Sequence, residues 1–212
     1  MLSFQDFLTE RKDPKSTTYH AFDVDETLFS HDHDKLRIHV VDKKTGKRVT
    51  SLTNQQYNNH KLDPNHEYDY SQFKSSDHFA YSAKPIRKMI AKMKAIHKNN
   101  KNVEMVTARQ DFDSQPKFAK HMSKYGIDIG QIHVRRSGNI NPTGHPAVNK
   151  AQAISQQIKQ NGYKKVHLYD DSESNLQHFL GLKKHHPDVE FNAHHIQHNP
   201  KTGEVKIKTT RA

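Results

Sequence analysis

Asp23 and Asp25 flank a single valine at the end of a β-branched and aromatic run, Thr17 to Phe22. Residues i and i+2 of a strand point the same way, so where such a strand ends both carboxylates face one site. Two acids aimed at one point repel unless a cation or a shared proton holds them. The pair is therefore costly as structure and useful as chemistry, for holding a hard divalent cation or moving a proton. An acidic turn would place the same residue types there, because Asp is common where strands end. Two further strand-like runs end in groups suited to the same chemistry. Val103 to Val106 runs into Thr107, Ala108 and Arg109, and Lys165 to Tyr169 runs into Asp170 and Asp171.

The elements that position these groups alternate. Ile86, Met89, Ile90, Met93 and Ile96 form a one-sided helical stripe, and Ala147, Ala151, Ile154 and Ile158 form a second that stops at Asn161-Gly162. Residues 114 to 125 read as a helix stopped by Gly126, and Ile132 to Val134 as a short strand. Strand and helix in alternation predict a parallel α/β sheet with helices on both faces. Ligands of such sheets bind at the carboxyl ends of the strands, where Asp23, Thr107 and Asp170 fall. Leu36 to Val41 and Lys47 to Leu52 predict a hairpin turning at Gly46, and residues 53 to 80 read as an irregular excursion. Val189 to Ile196 and Glu204 to Thr209 predict a C-terminal β-hairpin.

Composition narrows the partners. The 212 residues suit one α/β domain with an insertion. With 34 Lys and Arg against 23 Asp and Glu, the formal charge of +11 predicts attraction to polyanions such as nucleic acid or phosphorylated metabolites. A lysine-rich surface kept for solubility would give the same balance. Mean hydropathy is −1.03, yet the apolar residues gather into runs and stripes, which argues for a folded chain. No cysteine is present, so thiolate chemistry and disulfides are excluded, in keeping with a cytoplasmic protein. No run approaches the length of a membrane helix, and no membrane partner is expected.

Taken in order, these groups resemble the motifs of the haloacid dehalogenase-like (HAD) phosphohydrolases. The first motif, two Asp separated by one residue and followed by Thr, matches Asp23, Asp25 and Thr27, with Leu28 and Phe29 apolar behind it. The second matches Thr107, the third, a lysine near a helix start, matches Lys150, and the fourth matches Asp170, Asp171 and Asn175. The resemblance covers roughly residues 17 to 185. It implies a Rossmann-like sheet and a Mg²⁺-dependent phosphatase acting through an aspartyl-phosphate on Asp23. Asp25 would protonate the leaving oxygen and then activate water. Asp23, the backbone carbonyl of Asp25, and Asp171 in preference to Asp170 would hold Mg²⁺, while Thr107 and Lys150 would bind the transferring phosphoryl group. Thr27, Arg109 and Asn175 are the further substrate-side candidates; Arg109 either reaches phosphate or anchors its own loop. Lys117 is the rival to Lys150, and pattern places it toward solvent. Glu26 stands where relatives often carry Gly.

Three expectations concern the rest of the chain. Residues 30 to 82 exceed what a crossover needs and predict a small cap, in which Tyr57, Tyr68, Tyr70 and Phe73 with the basic stretch 43 to 48 offer stacking and charge for a nucleotide or a polynucleotide end. His20, Glu104 and His167 each stand three residues before the last motif residue of their strand, which predicts one polar row beneath the site. Residues 1 to 16 predict an amphipathic helix and linker before a single domain spanning 17 to 212. The helix resembles the capsid-targeting peptides of internal proteins of large phages, which implies as an alternative a basic, packaged, nucleic-acid-associated protein with a secondary phosphatase site. The 18 histidines, His31 and His33 among them, are assigned to no metal site, since no thiolate accompanies them.

Overall fold

A computed structural model describes residues 16–32, 35–53, 56–57, 60–142 and 144–212. The predicted N-terminal helix, the packaging signal within it and His33 lie outside them. The first elements are β1 (Thr18–Phe22), β2 (Phe29–His31), β3 (Ile38–Asp42), β4 (Arg48–Leu52), β5 (His66–Asp69), α1 (Ser71–Lys74), α2 (Ser76–Ser82) and β6 (Ala83–Pro85). There follow α3 (Arg87–Asn99), β7 (Val103–Thr107), α4 (Gln115–Ser123), β8 (His133–Arg136), a 3₁₀ turn (Ser137–Asn139), α5 (Pro146–Asn161), β9 (Lys165–Asp170), α6 (Glu173–Gly181), β10 (Glu190–His198) and β11 (Val205–Arg211).

The main sheet has the order β11-β10-β9-β1-β7-β8. Five of its six strands, β10, β9, β1, β7 and β8, run parallel, and β11 returns antiparallel along β10. The central place of β1 explains its composition, because a strand covered on both faces carries apolar side chains on both. Phe22, Met105 and Tyr169 pack on one face with Met89 and Met93 of α3 and Phe118 of α4. Tyr19, Ala21, Val106 and Leu168 pack on the other with Ile154 of α5 and Phe179 of α6. α5 begins with Pro146, whose missing N–H costs nothing at that position, and ends at Gly162 with φ +66°, a left-handed cap open to glycine.

The chain between β1 and α3 makes two smaller sheets. β2 pairs antiparallel with β6, Phe29 opposite Pro85, so the insertion leaves and rejoins the main domain at one point. Inside it, β3 is flanked by β4 and β5, both antiparallel. Residues 53 to 80 are thus not an irregular excursion: they hold β5, α1 and most of α2. His66-Glu67-Tyr68-Asp69 lacks the apolar alternation of a half-buried strand because no residue of β5 is fully buried.

The predicted row of His20, Glu104 and His167 does not form. β1 meets β7 with His20 opposite Val103 and Ala21 opposite Glu104. Glu104 therefore shares a face with Tyr19, whose hydroxyl donates to it at 2.9 Å, and it pairs with Arg135 at 3.0 Å. His20 lies on the opposite face, stacked on His167 with ring centroids 4.5 Å apart, and His167 stacks in turn on His194 at 5.2 Å. A one-residue difference in register moves a side chain to the other face, and only the pairing reveals it. Among the described residues no helix is long and apolar enough to cross a membrane.

Candidate active site

Asp23 follows β1 directly, and its amide donates to the Tyr169 carbonyl at 2.9 Å, which holds it level with the end of β9. The chain then turns sharply: the amides of Leu28 and Phe29 both donate to the Val24 carbonyl, at 3.0 and 2.9 Å. Glu26 takes φ +57° at this turn, a conformation that glycine adopts without strain. Its carboxylate offsets part of that cost by accepting from the His31 amide at 2.9 Å. Burial pushes the Glu26 carboxyl up to about 7.

Lys150, on the second turn of α5, is 1% exposed and bridges two carboxylates. Its Nζ donates to Asp23 Oδ1 and to Asp170 Oδ2, each at 2.7 Å. Asp170 Oδ1 also accepts from Asn175 Nδ2 at 2.9 Å and from the Ser172 amide at 2.9 Å, so both of its oxygens are engaged. Carboxylate oxygens of Asp23, Asp170 and Asp171 lie within 4.8 Å of one another. Three carboxylates against one ammonium leave an excess of negative charge in a buried place. Burial raises the Asp23 carboxyl to about 8, opposed by Lys150 and reinforced by Asp170. Asp171 is raised well above the usual carboxylate range by burial, then by Asp170 and Asp23. Burial favours the neutral amine of Lys150, but Asp170 and Asp23 outweigh it and hold the proton more tightly than usual. A divalent cation would relieve this excess, and the all-oxygen donor set suits a hard ion such as Mg²⁺. Among the described residues this is the only cluster of acids and histidines whose ligand atoms converge in this way.

Asp25 faces a different set of partners. Arg109 grips it in a fork, with Nε 2.9 Å from Oδ2 and Nη2 2.8 Å from Oδ1. His31 Nε2 lies 2.7 Å from Oδ1. Burial works against the carboxylate, but Arg109 and His31 outweigh it and hold Asp25 well below the usual carboxylate range. Arg109 is 3% exposed, with its guanidinium over the rings of Phe73, Phe79 and Phe112 and its Nη1 donating to the Phe73 carbonyl at 2.7 Å. Arg109 thus anchors Asp25 to the insertion. His31 does so a second way, through its Nδ1 contact with Ser82 Oγ at 2.9 Å.

Two carboxylates two residues apart therefore carry opposite assignments, one raised beside a lysine and one lowered beside an arginine. Pairs of titratable groups pushed apart in this way mark sites of acid and base chemistry. A cavity of about 430 Å³ opens here, with Asp23, Asp25, Arg109, Lys150, Asp171 and Asn175 in its wall. Thr27, Thr107 and Asp170 are buried and stand outside the wall. Thr27 Oγ1 has no hydrogen-bond partner among the described residues. Thr107 Oγ1 accepts from the Arg109 amide at 3.1 Å, and its carbonyl accepts from Ser137 Oγ at 2.9 Å. Gly138, next to Ser137, lies so close to the Ala108 carbonyl that a Cβ would collide with it. Lys117 is far more open and pairs with Asp77 at 2.6 Å.

His31 and Ser82 escaped the sequence reading as parts of this site, and Phe73 was read there only as a stacking ring. His31 follows the motif by a few residues, but nothing in its neighbours separates it from the many other histidines. The role of Phe73 lies in its backbone carbonyl, which no side-chain pattern announces. No family model, no curated protein and no solved structure matches the chain.

Proposed function

We propose that the chain is a metal-dependent phosphohydrolase of the haloacid dehalogenase-like kind, with Asp23 as nucleophile toward a phosphomonoester. The observation that carries this reading is the Asp23–Lys150–Asp170 bridge beside Asp171, which opens onto the same cavity as an independently held Asp25.

An Asp23 oxygen attacks phosphorus, the bond to the ester oxygen breaks, and an aspartyl-phosphate forms. Asp25 passes a proton to the departing oxygen, then takes one from the water that cleaves the intermediate. Arg109 and His31 hold Asp25 as a carboxylate in the free chain, the form that takes a proton from the attacking water, and His31 Nε2 lies 2.7 Å from it. Lys150 contributes fixed positive charge where the transferring phosphoryl group gathers negative charge, while Thr107, outside the cavity wall, accepts from the Arg109 amide and so supports the loop behind it. Asp23, Asp171 and the Asp25 backbone carbonyl would hold Mg²⁺, which when bound offsets charge between carboxylate and phosphate. Residues 30 to 82 serve as a small cap: their aromatic side chains form part of the cavity wall, and their two ends are tied together by β2 and β6.

The test is phosphate release from p-nitrophenyl phosphate with Mg²⁺ or with excess chelator, for the wild type and Asp23→Asn. The reading requires Mg²⁺-dependent release that drops to background in the variant. Release that is equal in chelator, or retained in Asp23→Asn, would contradict it.

A further inference from the structure

The cavity has two unlike poles. Asp23, Asp25 and Lys150 make one, and Tyr57, Tyr68 and Tyr70 make the other, with Phe73 tied to the first by the Arg109 guanidinium that lies over its ring and grips Asp25. These rings are half-buried and line an opening, where a core would have enclosed them. Tyr57 meets Tyr68 and Tyr70 edge to face, at interplanar angles of 74° and 83°, so it lies flat on neither of them. Hydrogen bonds fix their positions: Tyr57 Oη lies 2.9 Å from Tyr70 Oη, and Tyr68 Oη lies 2.9 Å from His60 Nδ1. A pre-set group of rings on the wall of a cavity binds a flat ligand at low entropic cost.

The remaining wall narrows the ligand further. Gln110, Asn141 and Asn149 line it, Asn149 Nδ2 donating to the Asn141 carbonyl at 2.7 Å, and a ring with donors and acceptors on its edge suits such polar neighbours where a plain phenyl ring does not. The formal charge of +11 suits a polyanion. We infer that the aromatic pole binds the base of a nucleoside phosphate, so that the phosphate presented to Asp23 belongs to a free nucleotide or to the end of a nucleic-acid strand. The inference rests on the proposed reaction for the role of the acidic pole. Base–aromatic stacking tolerates any base, so no base preference is expected.

The experiment compares kcat/KM for four substrates: a deoxynucleoside monophosphate, a single-stranded oligonucleotide with a terminal phosphate, a phosphotyrosine peptide and glycerol phosphate. Nucleoside substrates should be preferred. The ratio of nucleotide to glycerol phosphate should fall on the order of 10- to 100-fold in Tyr70→Leu and hold in Tyr70→Phe, as loss of one stacking ring requires. Preference for the oligonucleotide with a steep salt dependence identifies a strand end, and its absence identifies a free nucleotide. A second readout needs no turnover: the chain has 8 tyrosines and no tryptophan, so nucleotide binding to Asp23→Asn should quench tyrosine fluorescence, and Tyr70→Leu should weaken the quenching. Equal rates on all substrates, or preference for the phosphotyrosine peptide, would overturn the base pocket while leaving the reaction intact. Nucleotide binding without phosphate release from any substrate would overturn the reaction and leave the pocket.

Discussion

Replacing Lys150 by Met tests the charge arrangement at the heart of the site. The side chains are similar in length, so the change removes charge more than volume. Lys150 is 1% exposed and touches Asp23 and Asp170 at 2.7 Å each. At an effective dielectric of about 20, each contact is worth about 6 kcal/mol of Coulomb attraction. Burying the ammonium consumes several kcal/mol of that, and removing one partner of such a pair costs about 3–5 kcal/mol in net stability. For a domain of this size the loss corresponds to a drop in Tm of roughly 6–20 °C. It should depend on pH. With Lys150 in place, burial already raises the Asp23 carboxyl to about 8, and without the lysine it rises further. A carboxyl whose folded value exceeds its unfolded value of 3.8 loses stability as pH rises from about 4 through its folded value. Up to about pH 8 both folded forms keep the Asp23 proton, so the penalty of Lys150→Met should be smaller at about pH 7 than at about pH 10, and Mg²⁺ should reduce it. Urea unfolding followed by tyrosine fluorescence at both pH values measures it. A variant within about 1 kcal/mol of wild type at high pH would refute the buried bridge.

Two further outcomes follow from other parts of the structure. Arg109→Lys keeps the charge but loses the fork on Asp25 and the broad contact with Phe73, Phe79 and Phe112; chemical denaturation should show a loss of about 1.5–3 kcal/mol. A loss below about 0.5 kcal/mol would mean that Arg109 does not clamp Asp25. The stack of His20, His167 and His194 should weaken in acid. Burial lowers the three to about 3, 4 and 4, below the ordinary 6.5, so the unfolded chain takes up protons first. Their contribution is complete above about pH 6.5 and is lost as pH falls toward 4, on the order of 1–3 kcal/mol after allowance for partly exposed rings. His20→Phe should flatten the stability profile over that window; identical profiles would show that the stack does not titrate in this way.

Periodicity was enough where burial is one-sided or complete. Met89, Ile90 and Met93 are the buried stripe of α3, and the β-branched and aromatic run Thr17 to Phe22 holds the central strand β1, because both patterns follow from contact with a core. Order along the chain also carried far: Asp23, Lys150, Asp170 and Asp171 come together because each lies at the end of a parallel strand or near the start of the helix beside it. Lys150 was separable from Lys117 by position on its helix, and the two differ as burial requires, one enclosed and one paired at the surface. Cross-strand register was not legible. Glu104 pairs with Tyr19 and Arg135, not with the histidines, and no local property of β7 states which residue of β1 it will face. β5 was missed because a polar strand with no fully buried side chain has no alternation to display. The partners of Asp25 were missed because Arg109 reaches it across the fold and His31 resembles the other histidines of the chain.

The central claim is that Asp23 carries phosphate during turnover. Quenching the protein with borohydride during turnover of a phosphomonoester in Mg²⁺, followed by peptide mass spectrometry, tests this directly, because an acyl phosphate is reduced where a free carboxylate is not. Reduction confined to Asp23, dependent on substrate and absent in Asp23→Asn, is the expected result. Steady phosphate release with Asp23 left unreduced, or with reduction at another carboxylate, would contradict the account.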